Sequence, residues 1–148
     1  MSESASAPVH IVCPQCAGVN RLPKAKLGQA PKCGSCHQSL FGQGPQELSA
    51  STYQKVTTRN DIPVVVDFWA PWCGPCRAMA PAFAEAAAQL EPKIRFAKLN
   101  TEAEPAIGGG LSIKGIPTMI VFKGGKEIAR QSGAMAKNDI VRWVSSVL

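Results

Sequence analysis

No apolar run in the 148 residues is long enough to cross a bilayer, which takes about 20 consecutive apolar residues. The first eight residues, Met1 to Pro8, lack both a basic leader and the apolar core of an export signal, so a reducing cytoplasm is the expected compartment. No glycine-rich nucleotide fingerprint occurs, and the chain is not expected to bind a dinucleotide itself. Aromatic residues make up only 6% of the chain, and no block of like charge appears. The net charge is +6, and residues 1–60 supply +4 of it through six Lys/Arg against Glu3 and Glu47. A basic N-terminal part suits nucleic acid or an acidic partner, but without runs of basic residues or interleaved aromatics a solvated face is the preferred reading. With 45% hydrophobic and 18% charged residues, the chain has the balance of a globular protein. Its length fits one domain of about 100 residues plus a small module.

What is present is cysteine, six of them in three C-x-x-C pairs. Cys13-Pro14-Gln15-Cys16 and Cys33-Gly34-Ser35-Cys36 are separated by sixteen residues, a spacing that suits a zinc site. Each pair wraps two thiolates around one side of a metal, and two pairs complete a tetrahedral Cys₄ shell with no open position. Some thirty residues bury too little apolar surface to fold alone, and a metal would supply the missing stability. Other readings stand beside zinc. Structural disulfides conflict with a reducing compartment, extra redox dithiols lack a strand-to-helix setting, and four thiolates also suit iron. His37 follows Cys36 and is a candidate replacement ligand, although bystander is the commoner role for it and for His10. Oxidation of the four thiolates would release the metal, which makes a redox sensor conceivable. The expected division is a flexible tail at 1–10, a metal module at 11–41, a linker at 42–48 around Gly42-Gln43-Gly44-Pro45, and a main domain at 49–148.

The third pair has a different setting. Val64–Trp69 is an apolar, β-branched strand that ends at Pro71, and Gly74–Leu90 has helical spacing, with Met79, Ala80, Phe83, Ala87 and Leu90 on one stripe. Cys73 therefore stands where a strand passes into a helix N-terminus, and Cys76 lies in the first turn. Free N–H groups and the positive end of the helix dipole favour thiolate there. Two intervening residues let the sulfurs join and part without much backbone movement. A purely structural disulfide is a poor alternative, since it would cross-link almost no chain.

Around this centre, a short strand is expected near Glu47–Ala50, followed by a helix capped by Ser49 or Ser51 that ends before Asp61-Ile62-Pro63. Pro81 should kink the long helix. A strand follows at Ile94–Leu99, with alternating apolar and polar residues. The segment Glu102–Leu111 contains Gly108-Gly109-Gly110, so its helix should be short or loosely wound. Pro117–Phe122 and Lys126–Gln131 should form a hairpin turned by Gly124-Gly125, and a last helix over Lys137–Val147 presents Ile140, Val144 and Val147 on one face. The order βαβαββα fits an α/β fold with a mixed central sheet flanked by helices.

The pentapeptide Trp72-Cys73-Gly74-Pro75-Cys76, led in by Asp67-Phe68-Trp69-Ala70, resembles the active-site motif of the thioredoxin family. The resemblance runs from about residue 49 to the C-terminus, and the Cys₄ module ahead of it is similar to the zinc-containing bacterial subtype. It implies a thioredoxin-like fold and protein-disulfide reduction by dithiol–disulfide exchange. By resemblance Cys73 is the attacking nucleophile, and Cys76, expected to be the less exposed, resolves the mixed disulfide. Asp67, a carboxyl in an apolar strand, should have a raised pKa. In the family it exchanges a proton with Cys76, and Lys98 matches its lysine partner; a plain structural ion pair is the competing reading. Ile116-Pro117-Thr118 matches the loop that carries the family's cis-proline facing the disulfide, with backbone groups for a substrate strand. Trp72, Gly74, Pro75, Ile116 and Gly133 are the expected contact surface, Gly133 being equally suited to turn chemistry. Trp69 reads as core, and Arg77 as a solvated residue or a thiolate neighbour. Gly74-Pro75 matches reducing members of the family. The implied partners are disulfide-containing protein substrates and an NADPH-dependent thioredoxin reductase, and a monomer is expected. A function of another class is also compatible: a zinc-dependent binding or chaperone-like adaptor whose dithiol is regulatory.

Overall fold

The computed structural model describes residues 7–148. Its centre is a five-stranded sheet in the order β3-β5-β4-β6-β7, formed by β3 (Gln46–Leu48), β4 (Val64–Trp69), β5 (Arg95–Asn100), β6 (Thr118–Lys123) and β7 (Lys126–Ser132). β3 and β4 run parallel to β5, whereas β6 is antiparallel to both β4 and β7. The sheet is therefore mixed. Helices α2 (Gly74–Leu90) and α4 (Lys137–Ser146) cover one face, where Met79, Phe83, Ile140 and Val144 pack on Val65, Phe96, Met119 and Val121. Helices α1 (Ala50–Arg59) and α3 (Pro105–Gly110) cover the other, over Val64, Val66, Phe68, Leu99 and Ile120. Because both faces are covered, Val64, Val65 and Val66 are all buried, which explains a continuous β-branched run instead of an alternating one.

Local chemistry sets most boundaries. Ser49 caps α1, its backbone N–H donating to the Thr52 hydroxyl in a capping box. This cap ends β3 at Leu48, two residues before the expected Ala50. α2 continues through Pro81 to Leu90 without interruption. α3 is six residues long and includes all three consecutive glycines, in keeping with their low helix propensity. Gly124 and Gly125 turn the β6–β7 hairpin at φ 60° and 81°, and a Cβ on Gly125 would lie 3.0 Å from the Thr58 methyl.

Three expectations need correction. Residues 8–10, read as tail, belong to β1 (Pro8–Val12), which pairs antiparallel with β2 (Val19–Pro23); residues 1–6 of that assignment lie outside the described residues. Burial of Ile11 and Val12 anchors this strand. The linker at 42–48 holds β3, so the main domain begins its sheet at Gln46. β5, expected at Ile94–Leu99, is an interior strand at Arg95–Asn100, and it buries a charged residue, Arg95. The complete order in the main domain is βαβαβαββα, one strand–helix pair more than the expected βαβαββα.

The module docks through hydrogen bonds as well as apolar contacts. Val12 N–H donates to the buried Asn60 side chain at 2.9 Å, and His10 and Asp61 exchange backbone and side-chain bonds. Ile62 packs into the module's own cluster of Ile11, Cys13, Leu27, Cys33 and Leu40. Arg95, only 2% exposed, donates to Leu40 O at 2.7 Å, lies over the Phe41 ring and pairs with Glu91 at 3.4 Å. This guanidinium spans the two parts. Arg95→Ala leaves Glu91 buried without its cation and Leu40 O without its donor, and should destabilise the full chain by on the order of 3 kcal/mol. Urea unfolding of the full chain measures it; a loss below about 1 kcal/mol, the level of an exposed ion pair, would show that Arg95 is not a buried anchor.

Candidate functional site

Cys73 and Cys76 are joined as a disulfide at the N-terminus of α2, with their Cα atoms 5.3 Å apart. Cys73 is the helix cap itself, in an extended conformation, and its sulfur accepts the Cys76 N–H at 3.2 Å. Pro75 fills the first helical turn, where a missing N–H costs nothing and a fixed φ suits the helix. The strand-to-helix turn is held by Cys73 N–H on Ala70 O and by the Arg77 guanidinium on Pro71 O. Arg77 thus braces the turn. Both cysteines are nearly closed off from water, Cys73 at 4% exposure and Cys76 at 2%, so the expected difference between them is small.

The exposed edge of the site is Trp72, which is 67% accessible, together with Gly74 and Pro75. Across from them, Ile116 O lies 3.7 Å from the Cys73 sulfur, and the Ile116–Pro117 peptide is cis. Gly133 has φ 100° and donates its N–H to Pro117 O at 2.9 Å, which ties the end of β7 to the proline loop. Its glycine identity therefore has a turn requirement of its own.

Asp67 lies in mid-β4, fully buried, and neither carboxylate oxygen has a hydrogen-bond partner among the described residues. Burial pushes its carboxyl up to about 7; Lys98 pulls the other way, and Glu47 adds to the rise. Lys98 is its register partner on β5, with its ammonium 4.4 Å from the centre of the Trp69 ring. Trp69 is half-buried and bonds to Glu47 through its indole N–H at 3.2 Å. Glu47 escaped the sequence reading as a site residue, because its place beside Lys98 depends on the β3–β5 register.

At the other end of the sheet, the sulfurs of Cys13, Cys16, Cys33 and Cys36 all lie within 4.8 Å of one another. Two pairs, Cys13–Cys36 and Cys16–Cys33, are 3.6 Å apart, close to the separation of about 3.8 Å expected for thiolates around one tetrahedral zinc. Gln15, Gly18 and Ser35 aim backbone N–H groups at three of these sulfurs, and the Asn20 amide adds a fourth donor. A Cβ on Gly18 would sit 3.2 Å from the Cys16 sulfur. Ala17 and His37, both at positive φ, close the two knuckles by equivalent bonds to Cys13 O and Cys33 O. Neither histidine belongs to the metal-ligating cluster. The four cysteines fit a metal ion.

Comparison with known proteins matches residues 44–146 to the thioredoxin family model and residues 12–38 to the model of the thioredoxin 2 N-terminal zinc ribbon. The chain is 41% identical to thioredoxin C-3 of Corynebacterium nephridii, over 93% of this chain and 94% of that one. The chain belongs to the thioredoxin family. Thioredoxin 1 of a Nostoc strain is 43% identical over 64% of this chain and 88% of its own length, and the M-type chloroplastic thioredoxin of Chlamydomonas reinhardtii is 44% identical over 68% and 72%. Dithiol–disulfide exchange at the C-x-x-C pair, and hence protein-disulfide oxidoreductase activity, follows for this thioredoxin. The family implies disulfide-bearing protein substrates and a reductase. No helix among the described residues is long and apolar enough to cross a membrane.

Asp67 gives this thioredoxin a pH-dependent stability. Its folded pKa of about 7 lies above the ordinary 3.8, so between those values the folded chain holds a proton that the unfolded chain releases. Stability therefore falls as pH rises through that window. Asp67→Asn should be more stable than the parent by about 4 kcal/mol at pH 8, with the difference vanishing towards pH 4. Denaturation curves across pH test this, and parallel curves for the two proteins would contradict the raised pKa.

Proposed function

We propose that this thioredoxin is a cytoplasmic protein-disulfide reductase in which Cys73 attacks and Cys76 resolves. The observation that carries this reading is the disulfide at the start of α2, with Cys73 as helix cap and a backbone N–H directed at its sulfur. That N–H and the helix dipole stabilise a Cys73 thiolate. The thiolate attacks one sulfur of the substrate disulfide, forming a mixed disulfide and releasing the other substrate sulfur as a thiolate. Cys76, as thiolate, then attacks the Cys73 sulfur and expels the second substrate thiolate. Two electrons have passed to the substrate, and the Cys73–Cys76 disulfide remains.

Asp67 is the proton acceptor for Cys76 in the second step. Its carboxyl titrates near neutrality in an apolar setting, which suits general-base work and is a costly arrangement for packing alone. Lys98 limits the rise. Trp72, Gly74, Pro75 and Ile116 form the substrate contact surface, and the loop at Pro117 offers backbone groups to a substrate strand. Gly133 stands beside that loop through its bond to Pro117.

The disulfide is returned to the dithiol by an NADPH-dependent thioredoxin reductase, a role supported by the family and by the absence of a nucleotide motif in this sequence. Zinc is the metal for Cys13, Cys16, Cys33 and Cys36, as the ribbon family and the sulfur geometry support. A closed thiolate shell supplies cross-linking and not catalysis. The protein is taken to work as a monomer.

Trapping tests the order of attack. Cys76→Ser in the full chain, incubated with a disulfide-bonded protein, should accumulate a mixed disulfide through Cys73, whereas Cys73→Ser should form none. Equal trapping by both variants, or trapping through Cys76 alone, would overturn the assignment.

A further inference from the structure

Glu47 lies outside the motif, on the edge strand, yet its carboxylate is engaged by two donors. Both oxygens accept from the Trp69 indole N–H, at 3.2 and 3.3 Å, and one of them accepts the Asn100 N–H at 3.0 Å. Register places Glu47 beside Lys98 on β5, and Lys98 beside Asp67 on β4. Paired residues on neighbouring strands share one sheet face, so Glu47, Lys98 and Asp67 form a single row. Lys98 is thus the middle residue of the row, with an acid on each neighbouring strand. Trp69 closes the group, since its ring carries Lys98 and its N–H holds Glu47.

We infer that Glu47 is a positioning residue for the proton-transfer step: it holds Trp69 and shares Lys98 with Asp67, so that Asp67 does not have the ammonium to itself. This rests on the reading of Asp67 as the proton acceptor for Cys76. An Asp67 with sole use of Lys98 would be a weaker base, ionised at lower pH and less able to take a thiol proton near neutrality. Glu47 opposes that in two ways of the same sign, by drawing on the lysine charge and by placing a second negative charge on the row.

Other groups around Asp67 do not offer this. β6 brings the uncharged Met119 opposite it, and α2, which covers this face, brings the Cys73–Cys76 pair at its N-terminus. Glu47 and Lys98 are the charged groups acting on Asp67. Burial raises the Glu47 carboxyl itself, while the Trp69 N–H, Lys98 and the Asn100 N–H counter that rise, as expected of a carboxylate held in place by donors.

The experiment is a direct NMR titration of the Asp67 carboxyl carbon in the oxidised full chain, where neither active-site thiol titrates. Glu47→Gln should lower the Asp67 midpoint by a few tenths of a pH unit, the scale of a partly screened charge. Glu47→Asp shortens the side chain but keeps its charge, so its midpoint should stay closer to the parent's; this separates charge from local structure. Lys98→Met should move the midpoint upward. The pH dependence of mixed-disulfide resolution, measured in parallel for parent, Glu47→Gln and Asp67→Asn, should shift downward in Glu47→Gln. An unmoved Asp67 midpoint in Glu47→Gln, or the same fall in Glu47→Asp, overturns the inference about Glu47. A midpoint that moves as expected, with a resolving step indifferent to Asp67→Asn, supports the Glu47 coupling and instead overturns the proton-acceptor reading of Asp67.

Discussion

A thiol exchanges disulfides only as its thiolate, and a thiolate persists only where something answers its charge. Here that answer is the start of α2, where Cys73 caps the helix and receives the Cys76 N–H at 3.2 Å. Much of the fold serves to keep that helix end in place. β4 delivers the chain to it from the middle of the sheet, and Phe83 and Met79 fix α2 against Val65, Phe96 and Met119. The cis Ile116–Pro117 loop closes the far side, with the Ile116 carbonyl 3.7 Å from the sulfur. The covered sheet holds the buried core, and the reactive pair stands at one end of its middle strand beside an exposed tryptophan.

The same sheet accepts a cost. An acid buried at Asp67 without hydrogen-bond partners among the described residues weakens the fold at neutral and higher pH, while a neighbouring lysine limits the loss. Such an arrangement is hard to explain by packing, since Asn or Leu would fit a strand interior at less cost. The proton-acceptor role proposed for Asp67 would account for it, since that role calls for a group titrating near neutrality. The opposite end of the protein follows another logic. There, four thiols are gathered by two equivalent knuckles, and N–H groups directed at their sulfurs favour the thiolate form that a metal requires. Cysteine thus serves twice in one chain, free to exchange at one end of the sheet and fixed at the other.

The parts readable from sequence are those governed by local physics. Val64–Trp69 and Gly74–Leu90 have the same limits in the structure as in the sequence reading, because a β-branched run and a helical stripe each carry their own period. The hairpin at Gly124-Gly125 and the cap at Ser49 were legible for the same reason. The missed features depend on distant partners. Pro8–Val12 looks like tail until Val19–Pro23 pairs with it. Ile94–Leu99 shows its alternation in the sequence, but its place between β3 and β4 depends on pairing with both. Nothing in the sequence marks Arg95, whose burial is explained by Leu40 O and the Phe41 ring of the docked module together with Glu91. Glu47 has no motif at all, because its significance lies in a register that puts it beside Lys98.

The division of labour among the six cysteines is the central claim, and native mass spectrometry with thiol counting tests it most directly. The reduced full chain is weighed with its metal, exposed to mild peroxide and weighed again. One zinc is expected before and after, with two thiols lost and both of them traced to Cys73 and Cys76. Loss of zinc together with more than two thiols would contradict it, since the module would then be taking part in the redox chemistry.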